Sequence, residues 1–325
     1  MRRRAVRASP ATSEPVTWRD GVHVIGTPLW CDARRARDVC FVSSADAIGR
    51  VGHGQLVATL ETIAQLGASS SGAHLSVPYR RPFTLGTVRL ELVPSGHAIG
   101  AASLWIDTGG AKTFYAGAIA TGGAGLAQPA ELRTCDTLVV AAPYGAEHEI
   151  FPRREDARDA WIDFARDVSS RGSIAIALVS SAQKGLDVCA ASAAAGLTVG
   201  AHRAIHHAAK RLGGAVTLPR RGAAGAQALV WLARDRAKLK LPAGSHAIAL
   251  VSGAAIDPAA VRAAGAERGI AWSNAADRDE LLAFIEGANA RRVFLTGRRA
   301  DAIAAVLGAR ARVLAPPRQM RLFEP

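Results

Sequence analysis

Cysteine is scarce in this 325-residue chain, and what there is does not pair. The four cysteines stand at positions 31, 40, 135 and 189, with no Cys-x-x-Cys among them. That pattern excludes a disulfide-stapled scaffold and a paired-thiol zinc site, and it points to buried thiols in a reducing, cytoplasmic compartment. Aromatic residues make up only 5% and rarely interleave with the basic clusters. A base-stacking platform for single strands needs the opposite. No apolar run reaches the roughly 18 residues of a membrane span, so no membrane partner is expected. The opening MRRRAVRASPATSEP is basic and polar without an apolar core. It reads as a loose basic tail, not as a secretory signal. Three motifs are also missing: Gly-x-x-x-x-Gly-Lys-Ser/Thr, Gly-x-Ser-x-Gly, and a Gly-x-Gly-x-x-Gly placed after a strand. Their absence argues against a P-loop, a serine-hydrolase elbow and a dinucleotide site. Ser43, Ser44 and Asp46 are close in sequence, yet no histidine is spaced to serve them as a base.

What is present is apolar bulk and positive charge. Hydrophobic residues make up 49%, enough for one large core or two smaller ones. Forty Lys and Arg against 27 Asp and Glu leave a net charge of +13, which attracts polyanions. The first half alternates short strands and turns: a strand over Val39 to Val42, a helical spacing of Leu56, Leu60, Ile63 and Leu66, and a hairpin across SLWIDTGGAKTFYAG. From Phe151 on, helical periods alternate with buried strands such as SIAIALVSS and HAIALVSG, which predicts an α/β layered fold. Trp161, Phe164 and Val168 share one helical face, and Ser180 or Ser181 is placed to cap the helix after SIAIALVSS.

Taken in order, several segments resemble one family. They are LWCDARRARD, FVSSADAIGRVGHG, PSGHAIGAAS, YAGA, AAPYG, SSAQKG, SGAAI, SNAAD and LTGRRADAI. The chain resembles the metallo-β-lactamase-fold nucleases of the β-CASP group, in the DNA-ligase-associated exonuclease or mRNA end-processing-factor branch. The resemblance implies an αββα sandwich with an inserted β-CASP-like α/β domain. Residues 1–150 would form the N-terminal part of the core, 151–262 the insertion and 263–325 the C-terminal part.

The resemblance also implies a two-zinc hydrolytic centre, and here the sequence departs from it. The positions of the family's His-x-His-x-Asp-His loop fall on Ser44, Asp46, Ile48 and Gly49. The bridging aspartate falls on Ala118, the strand-end glutamate on Ala141, and two later histidines on Ala275 and Gly297. The family's aspartate beside Ala275 is Asn274. Only Asp32 and His97 keep the family's residue type, and Asp32 there mainly orients a ligand. A catalytic zinc needs three protein ligands and an open position. The expectation is therefore no cofactor, and a non-catalytic homologue that binds nucleic acid (DNA or RNA) or partners an active nuclease, ligase or helicase in DNA repair or RNA processing. The alternative is a remodelled hydrolase with one weakly bound zinc held by Asp32, Asp46 and His97. His97 accordingly has two readings: the last ligand of a reduced site, or a hydrogen-bonded histidine at the mouth of an emptied cavity. Candidate phosphate contacts are Arg153, Arg154, Lys184, His202, Arg203, Arg298 and Arg299.

Overall fold

The computed structural model describes residues 14–49, 51–67, 72–242 and 244–315. Most of the basic N-terminal tail lies outside the described residues. Three sheets organise the chain. The first runs in spatial order through β1 (Val16–Trp18), β2 (Val22–Val24), β3 (Leu29–Cys31), β4 (Val39–Phe41), β5 (Gln55–Ala58) and β6 (Ala73–Ser76). It is antiparallel as far as β3 and parallel beyond. Helix α1 (Leu60–Leu66) joins β5 to β6, and the Thr59 hydroxyl caps it by accepting from the Thr62 N–H.

The second sheet begins as an antiparallel meander of β7 (Phe83–Leu85), β8 (Val88–Pro94), β9 (Ala102–Asp107) and β10 (Lys112–Gly117). The expected hairpin is there, with Asp107 opposite Lys112. Strand β11 (Thr137–Ala141) then adds in parallel to β10.

The chain next builds a separate parallel sheet. Its elements are α2 (Arg154–Ser170), β12 (Ile174–Val179), α3 (Ala182–Ala194), β13 (Val199–Ala201), α4 (Arg203–Leu212), β14 (Arg220–Arg221), β15 (Ala228–Leu232), β16 (His246–Val251), α5 (Pro258–Ala263) and β17 (Arg268–Ile270). The strand order is β14-β13-β15-β12-β16-β17, all parallel. Ser181, the second of the two expected caps, holds the start of α3 by accepting from the Lys184 N–H. Finally α6 (Arg278–Gly287), β18 (Arg292–Thr296), α7 (Ala300–Leu307) and β19 (Ala311–Val313) return to the second sheet, β18 beside β11 and β19 at its edge.

Strand alternation explains the layering. Phe41, Leu92, Leu104, Tyr115, Val139 and Phe294 point between the first two sheets and form one buried core with Val16, Leu29 and Val57. Their sequence neighbours Phe114, Leu138, Val140, Val293 and Leu295 point the other way, onto Leu281, Phe284 and Ile285 of α6 and Ile303 of α7. On the far side Cys40, Val42 and Leu56 meet Ile63 and Leu66 of α1. The order is helix, sheet, sheet, helix. The third sheet has its own core, in which Trp161 of α2 is fully buried and donates its Nε1–H to Ser192 Oγ of α3 at 2.9 Å.

Two expectations are corrected. Leu56 is not helical; it lies in β5, and the helix begins at Leu60. The third sheet does not end at residue 262, because β17 extends it to Ile270. Among the described residues no helix is long and apolar enough to cross a membrane.

Phe294 sits at 1% exposure in the core between the facing sheets. Phe294→Ala is expected to cost about 3–5 kcal/mol, read as a lower denaturation midpoint in urea at unchanged slope.

Candidate functional site

The mouth of the sandwich faces the third sheet across a cleft that contains two adjoining cavities. The larger, about 380 Å³, is lined by Asp32, Ser43, Ser44, Asp46, His97 and Tyr115, with Ala118, Ala141 and Gly297 as its bare wall. The smaller, about 270 Å³, shares His97, Ala118, Ala141 and Gly297, and extends past Ala275 to Lys184 and Trp272.

Asp32 follows β3 with a positive φ of 47°. Its carboxylate accepts from the Ser43 N–H at 2.7 Å, the Ser43 hydroxyl at 2.6 Å and the Tyr115 hydroxyl at 2.8 Å. Burial raises its pKa, and these donors oppose the rise without cancelling it. Both oxygens are thus occupied by protein donors.

His97 stands in the turn after β8. Gly96 before it has φ 76°, and a Cβ there would lie 1.8 Å from the Ala120 carbonyl oxygen, so only glycine fits. His97 Nδ1 lies 2.9 Å from the Asn274 carbonyl oxygen, which makes Nδ1 the donor. Nε2 faces Asp46 Oδ1 at 3.5 Å, and Ser44 donates to the same oxygen at 2.6 Å. Burial disfavours the charged ring, but the Asp46 carboxylate and the Asn274 carbonyl outweigh it, so the His97 pKa is raised. Burial also works against the Asp46 anion, yet His97 and Ser44 hold it well below the ordinary carboxylate range.

This geometry does not fit the resident zinc that the family resemblance implies. A ligating imidazole is neutral and directs a lone pair at the metal. His97 could offer Nε2, since Nδ1 is the donor, but the side chain beside Nε2 is Asp46 at 3.5 Å, and two groups fall short of the three a zinc needs. Asp32 supplies no third donor, and among the described residues no group of three or more His, Cys, Asp or Glu is placed to hold a metal ion. The expected trio of Asp32, Asp46 and His97 is therefore reduced to one ion pair and one separately satisfied carboxylate. Ile48 and Gly49 do not reach the cleft. Ile48 packs with Val42, Leu56 and Leu66, and Gly49 faces open space. Gly297 has φ 96°, and a Cβ there would lie 2.9 Å from the Ala142 carbonyl oxygen.

The candidate phosphate contacts divide. Arg153, Arg203 and Arg298 are exposed. Arg298 donates to the Pro143 carbonyl at 2.7 Å and stacks 5.0 Å from the Tyr144 ring. The others are engaged within the protein. Arg154 pairs with Glu280 at 2.7 Å, and Arg299 with buried Glu149 at 3.0 Å. His202 caps α4 by accepting from the Ala204 N–H, with Nε2 3.5 Å from Asp235, and does not pair with His206. Lys184 is 2% exposed. Sequence reasoning missed Tyr115, Asp187 and Trp272. Asp187 receives the Asn274 side-chain amide at 2.8 Å, and its placement one helical turn after Lys184 was the available signal. Cys40 is inert as expected, since burial pushes its thiol up to about 12.

Comparisons with known proteins add one result. No family model and no curated protein matches the chain. Among solved structures, the crystal structure of a protein of unknown function from Enterococcus faecalis V583 matches 86% of this chain and 79% of its own, with a TM-score of 0.56. The two share a fold. At 12% identity the likeness extends no further than that.

The ion pair sets a pH signature. The raised His97 pKa contributes stability that is fully present below its ordinary value of 6.5 and is lost as pH rises through the raised value. NMR titration of the His97 ring is expected to show a midpoint above 6.5, and Asp46→Asn is expected to lower it.

Proposed function

We propose that this chain is a catalytically silent relative of the metallo-β-lactamase-fold β-CASP nucleases, and that it holds nucleic acid in the cleft without cutting it. One observation carries the reading. Ser44, Asp46, His97, Ala118, Ala141 and Gly297, six positions that correspond in the resemblance to metal-site residues, line a single cavity, and Ala275 lines the next. Positions scattered from 44 to 297 converge on the place where such a centre would stand, while of the family's ligands at these positions only His97 is kept. The helix–sheet–sheet–helix order, interrupted by a parallel α/β layer, supports the same ancestry.

The binding half of the proposal rests on charge. The chain carries +13, and exposed Arg34 and Arg298 flank the cavities. Contacts of guanidinium groups with phosphates release counterions, so binding of this kind weakens steeply with salt. An active nuclease, ligase or helicase as partner would fit the same silent scaffold. An apolar protein contact would be far less sensitive to salt.

Metal analysis of freshly purified protein is expected to give well under one zinc per chain, with no cleavage of single-stranded DNA or RNA. Fluorescence anisotropy on labelled single strands is expected to show an affinity that falls linearly in log–log form with salt and weakens in Arg298→Glu. Stoichiometric zinc, together with nuclease activity abolished by His97→Ala, would overturn the proposal.

A further inference from the structure

The third sheet has a feature that the nuclease reading does not use. Adjacent strands β12 and β16 send their connections in opposite directions. From β12 the chain passes through α3 to β13 on one side, and from β16 it passes through α5 to β17 on the other. The two helices pack on opposite faces of the sheet. Leu186 and Val188 of α3 join one core, and Val261 of α5 joins the other. In open parallel sheets, ligands bind outside the carboxyl ends of the strands where connections diverge in this way. The 270 Å³ cavity lies at that point, lined by Ser180 just after β12 and Ser252 just after β16.

A second observation names the chemistry. Lys184, in the first turn of the 13-residue helix α3, lines the cavity with 2% exposure. Its Nζ lies 3.7 Å from the centroid of the Trp272 ring and has no hydrogen-bond partner. A buried ammonium without an acceptor is costly. Burial accordingly pulls the amine down to about 7, with Asp187 opposing the fall and Arg154 adding to it. Asp187 acts on the amine through its charge but not through a hydrogen bond; its oxygens accept from the Leu126 N–H and the Asn274 side chain. No aspartate or glutamate lines the cavity, and its walls are largely apolar: Trp272, Tyr144 and three alanines.

We propose that this cavity binds a small organic monoanion, a carboxylate on an aromatic or other apolar body, with Lys184 and the amino end of α3 neutralising its charge. Helix amino termini favour anions, and a carboxylate supplies the acceptors that the amine lacks. The charge of the ligand follows from the one unpaired buried cation, since His97 on the same cavity is already paired with Asp46. A phosphate dianion would leave one negative charge uncompensated in a low-dielectric site. Arg298 at the mouth is 57% exposed, so solvent screens it and it does not supply a second positive charge inside the cavity. The charged groups acting on the amine are Asp187 on its own helix and Arg154 from α2; His97, from the turn after β8, lines the same cavity and acts on Asp187, and Arg298 stands at the mouth.

Binding of the carboxylate draws a proton onto Lys184, so affinity falls as pH rises through about 7. The test is an NMR titration of the full chain with benzoate, its neutral analogue benzamide, and inorganic phosphate. Benzoate is expected to bind about tenfold more tightly than benzamide, to shift the signals of Ser180, Ser252 and Trp272, and to lose that advantage in Lys184→Met. If Lys184→Met does not fold, the pH dependence of benzoate binding to the unaltered chain and to His97→Gln decides. Loss of affinity with rising pH that persists in His97→Gln supports the site, and a flat profile, or a loss that His97→Gln abolishes, overturns it. Equal binding of benzoate and benzamide, no benzoate binding at millimolar concentration, or tighter binding of phosphate than benzoate would also overturn it.

Discussion

Asn274 ties the sandwich to the third sheet at the floor of the cleft. It lies where the chain leaves β17 for α6. Its carbonyl accepts from His97, and its side-chain amide donates to the His97 carbonyl at 3.1 Å and to Asp187 at 2.8 Å. One residue therefore ties the turn after β8 to helix α3. The same seam is closed by Arg154 on Glu280 and by the Phe151 N–H on Asp277 at 3.0 Å. Hydrogen bonds of this kind are directional, and in a partly buried seam each constrains the next. The walls of both cavities are held by polar geometry more than by apolar packing, which has no preferred orientation.

The polar residues at the mouth of the sandwich have settled among themselves. A carboxylate enclosed by protein must find donors or give up its charge. Asp32 finds Ser43 and Tyr115, and Asp46 finds His97 and Ser44. Asp46 is balanced by the charge of His97, and both oxygens of Asp32 are taken up by neutral donors. Lys184 differs, because its amine meets an aromatic face and no acceptor. The larger cavity is electrostatically closed, while the smaller one lacks a partner for its lysine.

Much of this fold was legible in the sequence. The apolar runs that became β9, β10, β12 and β16 were visible as strands, and the serine cap of α3 was visible too. The exceptions have physical causes. Leu56 shared a helical spacing with Leu60, Ile63 and Leu66 because Leu56, Ile63 and Leu66 meet in one core, though they belong to two elements. Periodicity recorded the shared core and not the shared helix. Strand β17 escaped notice because it is held by backbone pairing and exposes Arg268 and Gly269. Lys184 read as a surface cation because a lysine near a helix start usually is one. It is buried by Trp272, which arrives from a distant part of the chain. Ile48 was read as a position in the site, whereas local packing with Val42 and Leu66 turns it away from the cleft.

Gly297 has a consequence for any attempt to build a metal centre in this cleft. Its positive φ and the Ala142 carbonyl oxygen, 2.9 Å from where a Cβ would stand, make any side chain there a disturbance of the neighbouring backbone. A histidine placed at this position would have to displace the strand end before it could reach into the cavity. Building a metal ligand at this loop therefore takes more than one substitution, because the strand end that carries Ala142 has to move along with the new side chain.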